Sequence, residues 1–495
     1  MILILVTGVV GLSTLSAPAP FVDEAWYAAR ALGFIETGRA FGTLDRGVVE
    51  DFEGYWTWYP VPVTAIQAVP VWLFGPTIFS IRLPSMISGL ALIVAMYAVG
   101  CQVAGRGAGL LAAALVAWSR PFLYSSHLGR QDIVVAALGM GALALMLARP
   151  RKGEGWCNVA AGLLVAVAME THLNAAVYGV LALAVVLHRF GLKSPLRSQP
   201  WCFAAGLALG TAGYVAAHVL PYPAAFVAIN MLLYSTSHSP PIARWDAEVW
   251  IESFLSTMQT YLYGSDFRLL IAAPSLAAAA IGRARGLRLA VLLFVAMLVA
   301  QIALIRNHLQ YYVILQSPLT DLLVAVAVSG LFRARFADSL WPRRLLFGAT
   351  CLLVWSVFSV VRPVFVDARP DYEAALSRVS GNIAPEATIM GAQAFWFALQ
   401  DHTFLGWQQL ALHRHQHHGA SLDSAMERFR PDYLLIDRQM RDFVGELGGG
   451  QNSYTEYLLL PAGELRAFLA SRGELVDEFE SASLGLVSVY RIRWQ

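Results

Sequence analysis

Apolar stretches recur along the first 362 residues between short arginine-bearing segments, most of them close to the roughly 20 residues a helix needs to cross a bilayer. In hydrocarbon every backbone amide must be satisfied within its own segment, so stretches of this kind fold as spanning helices or not at all. About eleven are legible, near 2 to 18, 80 to 103, 107 to 124, 133 to 148, 157 to 172, 174 to 187, 201 to 220, 268 to 282, 289 to 305, 312 to 332 and 344 to 362. Composition agrees: 57% of residues are hydrophobic and 14% charged, against roughly 25% charged in a soluble domain. A soluble globule is excluded. The 35 basic and 33 acidic residues are interspersed rather than striped, which speaks against a nucleic-acid partner. Cys101, Cys157, Cys202 and Cys351 lie in or beside apolar runs without metal-ligand spacing, and buried thiols are expected.

Charge density changes at residue 363. From there to Gln495 there are 11 arginines and 17 carboxylates, too many for a membrane segment. The expected organisation is therefore a transmembrane domain over 1–362, with an outer loop at 19–79 carrying interfacial helices, and a small soluble α/β domain over 363–495. Within the tail, DYEAALSRV, SLDSAMERF and GELRAFLASR read as helices, and ATIMGA, DYLLID, GELVDEFE and LVSVYRIR as strands, the last two a closing pair.

Basic residues set the expected orientation, because short cytoplasmic loops are enriched in them. Arg106; Arg149, Arg151 and Lys152; Arg189, Lys193 and Arg197; Arg283, Arg285 and Arg288; and Arg333, Arg335, Arg343 and Arg344 fall in alternate loops. With the N-terminus inside, all of these are cytoplasmic, and the first loop, the 221–267 loop and the tail are outside. Val61 to Phe74 is apolar but short and interrupted by Pro62 and Pro70, so it is expected at the interface rather than across it. A cleaved signal peptide is the alternative for the first stretch, although no basic residue precedes its apolar run.

Ionisable residues kept beside spans are functional candidates by default, and here they gather on the expected outer side. Asp23 and Glu24 open an amphipathic helix, where they serve equally well as caps. Trp56 to Pro62 is an aromatic–proline cluster containing Tyr59, of the kind that also anchors proteins at the interface. Arg130 and Asp132 share a short outer turn, as a simple ion pair or as partners of Asp23. Glu170 and His172 interrupt another apolar stretch, and Arg306, His308 and Tyr311 form a donor-rich group fit for an oxyanion, Arg306 alternatively snorkelling at a span end. The tract His413, His415, His417 and His418 reads as an exposed helix surface before it reads as a metal site.

Taken in order, VDEAWYAARALGFIETG after the first span, the WTWYPVPV segment with its G-x6-R-L-P-S continuation, Gly105-Arg106, and HLGRQDIVVAAL resemble the polytopic GT-C glycosyltransferases. The branch is that of the protein mannosyltransferases, aminoarabinose transferases and galacturonosyltransferase-like enzymes. The resemblance implies a GT-C-like fold, a sugar donor carried on polyprenyl phosphate, an envelope acceptor hydroxyl, and an inverting transfer on the periplasmic side of a bacterial inner membrane; some relatives of this fold use a divalent cation at the paired acids, but for this branch none is expected, nor any other cofactor. It places the catalytic carboxylates at Asp23, Glu24 and Asp132, with Asp23 as base, and substrate contacts at Tyr59, Arg130, His172, Arg306, His308 and Tyr311. Relatives often carry Lys or His where this chain has Tyr59, which moves donor-phosphate binding toward Arg306 and His308. A secondary transporter, a polysaccharide ligase or polymerase, and an inactive scaffold are the competing readings. A transporter calls for a repeat and midplane acids, and neither is evident.

Overall fold

A computed structural model describes residues 1–17, 19–48, 61–148, 153–228, 247–264, 286–305, 309–333, 371–444 and 460–494. Helices dominate the first part: α1 (Ile2–Thr14), α2 (Val22–Thr37), α3 (Val61–Phe74), α4 (Ile78–Ala104), α5 (Arg106–Ala117), α6 (Arg120–Ser126), α7 (Asp132–Leu147), α8 (Glu154–Thr171), α9 (Ala176–Phe190), α10 (Ser198–Tyr214), α11 (Ala247–Gly264), α12 (Leu287–Leu304) and α13 (Val313–Arg333). Among the described residues, five helical segments are long and apolar enough to cross a membrane: Ile78–Ala104, Leu173–Phe190, Ser198–Val219, Leu287–Leu304 and Gln310–Gly330. The others expected as spans are helical but shorter or more polar, and the stretches at 268 to 282 and 344 to 362 lie outside the described residues.

Two sequence expectations are corrected here. The stretch 107 to 124 is not one helix, because α5 stops at Trp118 and Ser119 restarts the chain as α6 by accepting the Phe122 N–H at 3.1 Å. The 221–267 segment is not merely a loop: Ala247–Gly264 forms an 18-residue helix. Val61–Phe74 is a single 14-residue helix whose Trp72, Leu73 and Phe74 are exposed.

Packing follows from side-chain size. In α13, buried over 83% of its apolar window, apolar residues face every direction, as a central helix requires. Around it α4, α5, α7, α9 and α12 contribute Met96, Val116, Met140, Leu181 and Leu293 to one apolar cluster. Helices α8 and α10 pack backbone to backbone, since a Cβ on Gly162 would lie 2.1 Å from the Phe203 carbonyl oxygen and one on Gly206 2.0 Å from that of Val159. The far side of α10 presents Trp201 and Leu209, both exposed, an apolar flank suited to lipid.

The tail follows its expected order and adds four elements. Its five strands are β1 (Thr388–Gly391), β2 (Thr403–Gly406), β3 (Tyr433–Ile436), β4 (Gly473–Ser481) and β5 (Gly485–Ile492), arranged β2-β1-β3-β5-β4. Strand β1 is parallel to β2 and β3, and β5 is antiparallel to β3 and β4. All four residues of β3 are buried, as befits a strand with neighbours on both sides and cover on both faces. The additions are β2, the 3-10 helix Gln393–Ala398 and the helices Gln408–Gln416 and Arg438–Phe443.

The core around this sheet takes in part of the first loop. Ala25, Ala28 and Ala31 of α2 share one apolar cluster with Phe395, Trp396 and Trp407. Hydrogen bonds reinforce the seam: Trp396 Nε1 donates to Thr43 Oγ1 at 3.2 Å, Gln409 Nε2 to the Arg46 carbonyl at 2.6 Å, and Gln416 Nε2 to the Val48 carbonyl at 2.7 Å.

Candidate functional site

Three chain segments meet at one end of the bundle. Helix α2 begins after Phe21, which has extended backbone, and so places Asp23 in its first turn. Helix α7 begins at Asp132, immediately after the turn His127 to Gln131. The third segment, Gln310–Tyr312, is a single 3-10 turn that leads into α13.

Arg130 is the hub. Its Nε donates to Asp132 Oδ2 at 2.9 Å, its Nη1 is ion-paired with Asp23, and its guanidinium lies 3.8 Å from the centroid of the Tyr311 ring. Phe21 sits on the same cation, 5.4 Å from centroid to guanidinium carbon. Tyr311 meets Tyr312 edge-on at 4.7 Å, and Tyr312 lies 5.5 Å from the His172 ring. Five residues singled out by sequence, Asp23, Arg130, Asp132, His172 and Tyr311, are thus brought into one connected cluster. The side chains of Arg130 and Asp132 are 5% and 4% exposed, whereas that of Asp23 is 18% exposed. Asp23 is therefore the more exposed of the two carboxylates on Arg130.

Burial works against the Arg130 charge, but Asp132, Tyr311 and Tyr312 outweigh it and hold the guanidinium above the ordinary arginine value. Burial pushes His172 down to about 4, with Asp132 opposing and Arg130 assisting. The His172 imidazole is accordingly neutral at pH 7. Its Nδ1 accepts the Asn174 N–H at 3.1 Å, which leaves the ring proton on Nε2.

Glu24, grouped with the catalytic carboxylates on sequence, stands apart. It is fully buried, and both its oxygens are engaged by Arg82 of α4, at 2.6 and 2.7 Å. The N–H groups of Gly129 and Phe21 complete its shell, each at 2.6 Å. The Glu24 carboxylate thus lies in an internal ion pair with Arg82, away from the more open position of Asp23. Tyr59, Arg306 and His308 lie outside the described residues.

Other expectations are adjusted as well. His413 is buried against Phe429, and only His415, His417 and His418 are exposed. Among the described residues no three metal-ligating side chains cluster. Cys101, Cys157 and Cys202 are half-buried free thiols rather than fully buried ones. Glu170 pairs with His218, 3.0 Å away in a π turn at the end of α10. Sequence reading missed Arg82 and Asp321, although each is a charge inside an apolar stretch, and that is the signal that finds such residues. It also undervalued Phe21 and Tyr312, which look like ordinary interfacial aromatics.

Comparison with known proteins places this architecture in a class. Residues 60–215 match the family model of dolichyl-phosphate-mannose-protein mannosyltransferase. The fold of the described residues is GT-C-like. ArnT from Cupriavidus metallidurans in the apo state superposes with a TM-score of 0.64 at 16% identity, covering 98% of this chain and 97% of that one. The same protein bound to undecaprenyl phosphate gives 0.65 at 14% identity over 99% and 97%. The archaeal oligosaccharyltransferase AglB from Archaeoglobus fulgidus, in complex with an inhibitory peptide and a dolichol-phosphate, gives 0.52 at 12% identity, over 98% of this chain and 74% of that one. None of the curated proteins gives a significant match.

Proposed function

We propose that this protein is an integral-membrane glycosyltransferase that moves a sugar from a polyprenyl-phosphate donor to an acceptor hydroxyl, with inversion at the anomeric carbon. The observation that carries the reading is the partly exposed Asp23 carboxylate, held by a buried arginine beside an aromatic wall of Phe21 and Tyr311. Fold likeness to ArnT, whose structure was determined with undecaprenyl phosphate, supports the lipid-phosphate donor.

In this mechanism Asp23 accepts the acceptor's hydroxyl proton as the acceptor oxygen attacks the anomeric carbon. The bond from that carbon to the phosphate oxygen breaks on the opposite face, and polyprenyl phosphate leaves as the anion. Arg130 stabilises negative charge as it develops, and the His172 Nε2–H is a neutral donor in the same neighbourhood. Arg306 and His308 take the remaining phosphate contacts. Tyr311 and Phe21 offer apolar faces to the sugar ring, and the exposed apolar side of α3 offers a track for the lipid tail.

The proposed setting is a bacterial inner membrane, with the site and tail on the periplasmic side and the N-terminus in the cytoplasm. Helix α7 begins at the site and α9 follows His172, and in sequence their other ends run into basic residues, Arg149 and Arg151 after α7 and Arg189 and Lys193 at the end of α9, in keeping with the positive-inside rule for this orientation. The test is transfer of radiolabelled sugar from a panel of polyprenyl-phosphate sugars to total envelope acceptors, using membranes that contain the wild-type protein. Label incorporated from one donor supports the reading; no transfer from any donor favours the transporter or scaffold alternatives.

A further inference from the structure

We infer that Glu24 and Arg82 are positioning residues, a buried pair that fixes the Asp23 carboxylate and the Arg130 guanidinium relative to each other without touching substrate. Successive residues of a helix point about 100° apart, so Asp23 faces the open end of the bundle while Glu24, one residue on, turns inward.

The Glu24 carboxylate is the point at which four stretches of chain are joined. Oε1 accepts from Arg82 Nε and from the Gly129 N–H, each at 2.6 Å. Oε2 accepts from Arg82 Nη2 at 2.7 Å and from the Phe21 N–H at 2.6 Å. Arg82 in turn donates through Nη1 to the Leu15 carbonyl at 2.9 Å and through Nη2 to the Ala19 carbonyl at 3.2 Å. The end of the first helix, the start of α2, the body of α4 and the turn before α7 are thus tied to one planar fork-to-fork pair. Neither side chain has measurable exposure. No substrate reaches them.

Each anchor is one residue away from a member of the open site. Asp23 precedes Glu24, and Arg130 follows Gly129. The Gly129 turn is held from its other side as well, since Gln67 Nε2 donates to the Gly129 carbonyl and Ser85 Oγ to the Arg130 carbonyl, both at 3.2 Å. A Cβ on Gly129 would stand 2.9 Å from Ile81 Cγ2 and 3.1 Å from Glu24 Oε1, so the close approach that lets this amide reach the carboxylate needs glycine. Helix α2 and the 127–131 turn are more than 100 residues apart in sequence, and this hydrogen bond and the Asp23–Arg130 pair both tie them directly.

The activity readout rests on the glycosyltransferase reading; a second readout does not. In full-length protein in membranes, Glu24→Gln is expected to lower kcat by about a hundredfold, the scale of a misplacement of roughly 1 Å, with little change in the donor KM. Arg82→Lys, which keeps the charge but loses the fork, is expected to fall between wild type and Arg82→Ala. Independently, with the native cysteines replaced, Asp23→Cys and Arg130→Cys are introduced together and bridged with a short bifunctional thiol reagent. Efficient bridging when Glu24 is present, lost in the Glu24→Gln background at equal protein yield, supports the inference. Unchanged bridging and unchanged kcat in Glu24→Gln would overturn it. A raised acceptor KM with bridging intact would also overturn it, by making Glu24 a substrate contact. Absence of transfer by wild type counts against the glycosyltransferase reading alone, because the bridging yield still decides the role of the pair.

Discussion

At Arg130 one side chain satisfies two carboxylates and lies over an aromatic face. A lysine carries the charge but has neither the planar fork nor the stacking surface. We expect Arg130→Lys to lose about 2 kcal/mol of transition-state stabilisation, roughly thirtyfold in kcat/KM, since the cation is desolvated; steady-state kinetics on matched membranes check this. Asp437 in the tail offers a different test. It is buried and caps the helix Arg438–Phe443 by accepting the Met440 N–H at 2.9 Å, and burial raises its pKa to about 6. For an acid raised on folding, the stabilising contribution is complete below its ordinary value and is lost as pH rises through about 6. Asp437→Asn keeps the capping oxygen and removes the charge. It is expected to stabilise the full-length protein by about 1 to 3 kcal/mol at pH 8, with the difference shrinking toward pH 4, as read in thermal melts at the two pH values.

Secondary elements divide by how much of their cause is local. Most tail strands and several tail helices are readable because each carries its own apolar period or apolar run, as in DYLLID for Tyr433–Ile436. Strand Thr403–Gly406 gains its identity from pairing with β1, which no local pattern announces. The helix Gln408–Gln416 is composed mostly of good helix formers but shows no clear apolar period, so what marks it is the burial of Leu410 and Ala411 in the core of the sheet domain. The break at Ser119 went unread because mean apolarity continues across it, although Ser119-Arg120-Pro121 is a helix-start signal. In the site, Asp23, Arg130 and Asp132 were findable as charges at span ends. The opposite fates of Asp23 and Glu24 were not, because they depend on which neighbour each helix face meets. Element packing also gives a prediction at the seam between α2 and the tail. Trp396→Ala leaves a hole beside Ala25 and Ala28 and frees Thr43 Oγ1, a cost of about 3 to 5 kcal/mol. Faster limited proteolysis of the tail in membranes, compared with wild type, is the expected result.

For the molecule as a whole, one helix serves two cores. Its N-terminal turn supplies Asp23 and Glu24 to the bundle, while Ala25, Ala28 and Ala31 lie in the core of the sheet domain. Charge density alone separates the chain at residue 363, but hydrophobic contact joins the tail to the first loop. The tail therefore packs directly on the helix that carries Asp23. Removing it would expose the apolar face of α2 and free the segment that carries Asp23. The account's central claim, however, rests on one carboxylate. It is tested most directly by comparing Asp23→Asn with wild type in transfer from the active polyprenyl-phosphate sugar at equal expression. The account predicts a fall of about 10² to 10⁴ in kcat, with donor still bound; transfer at the wild-type rate would contradict it.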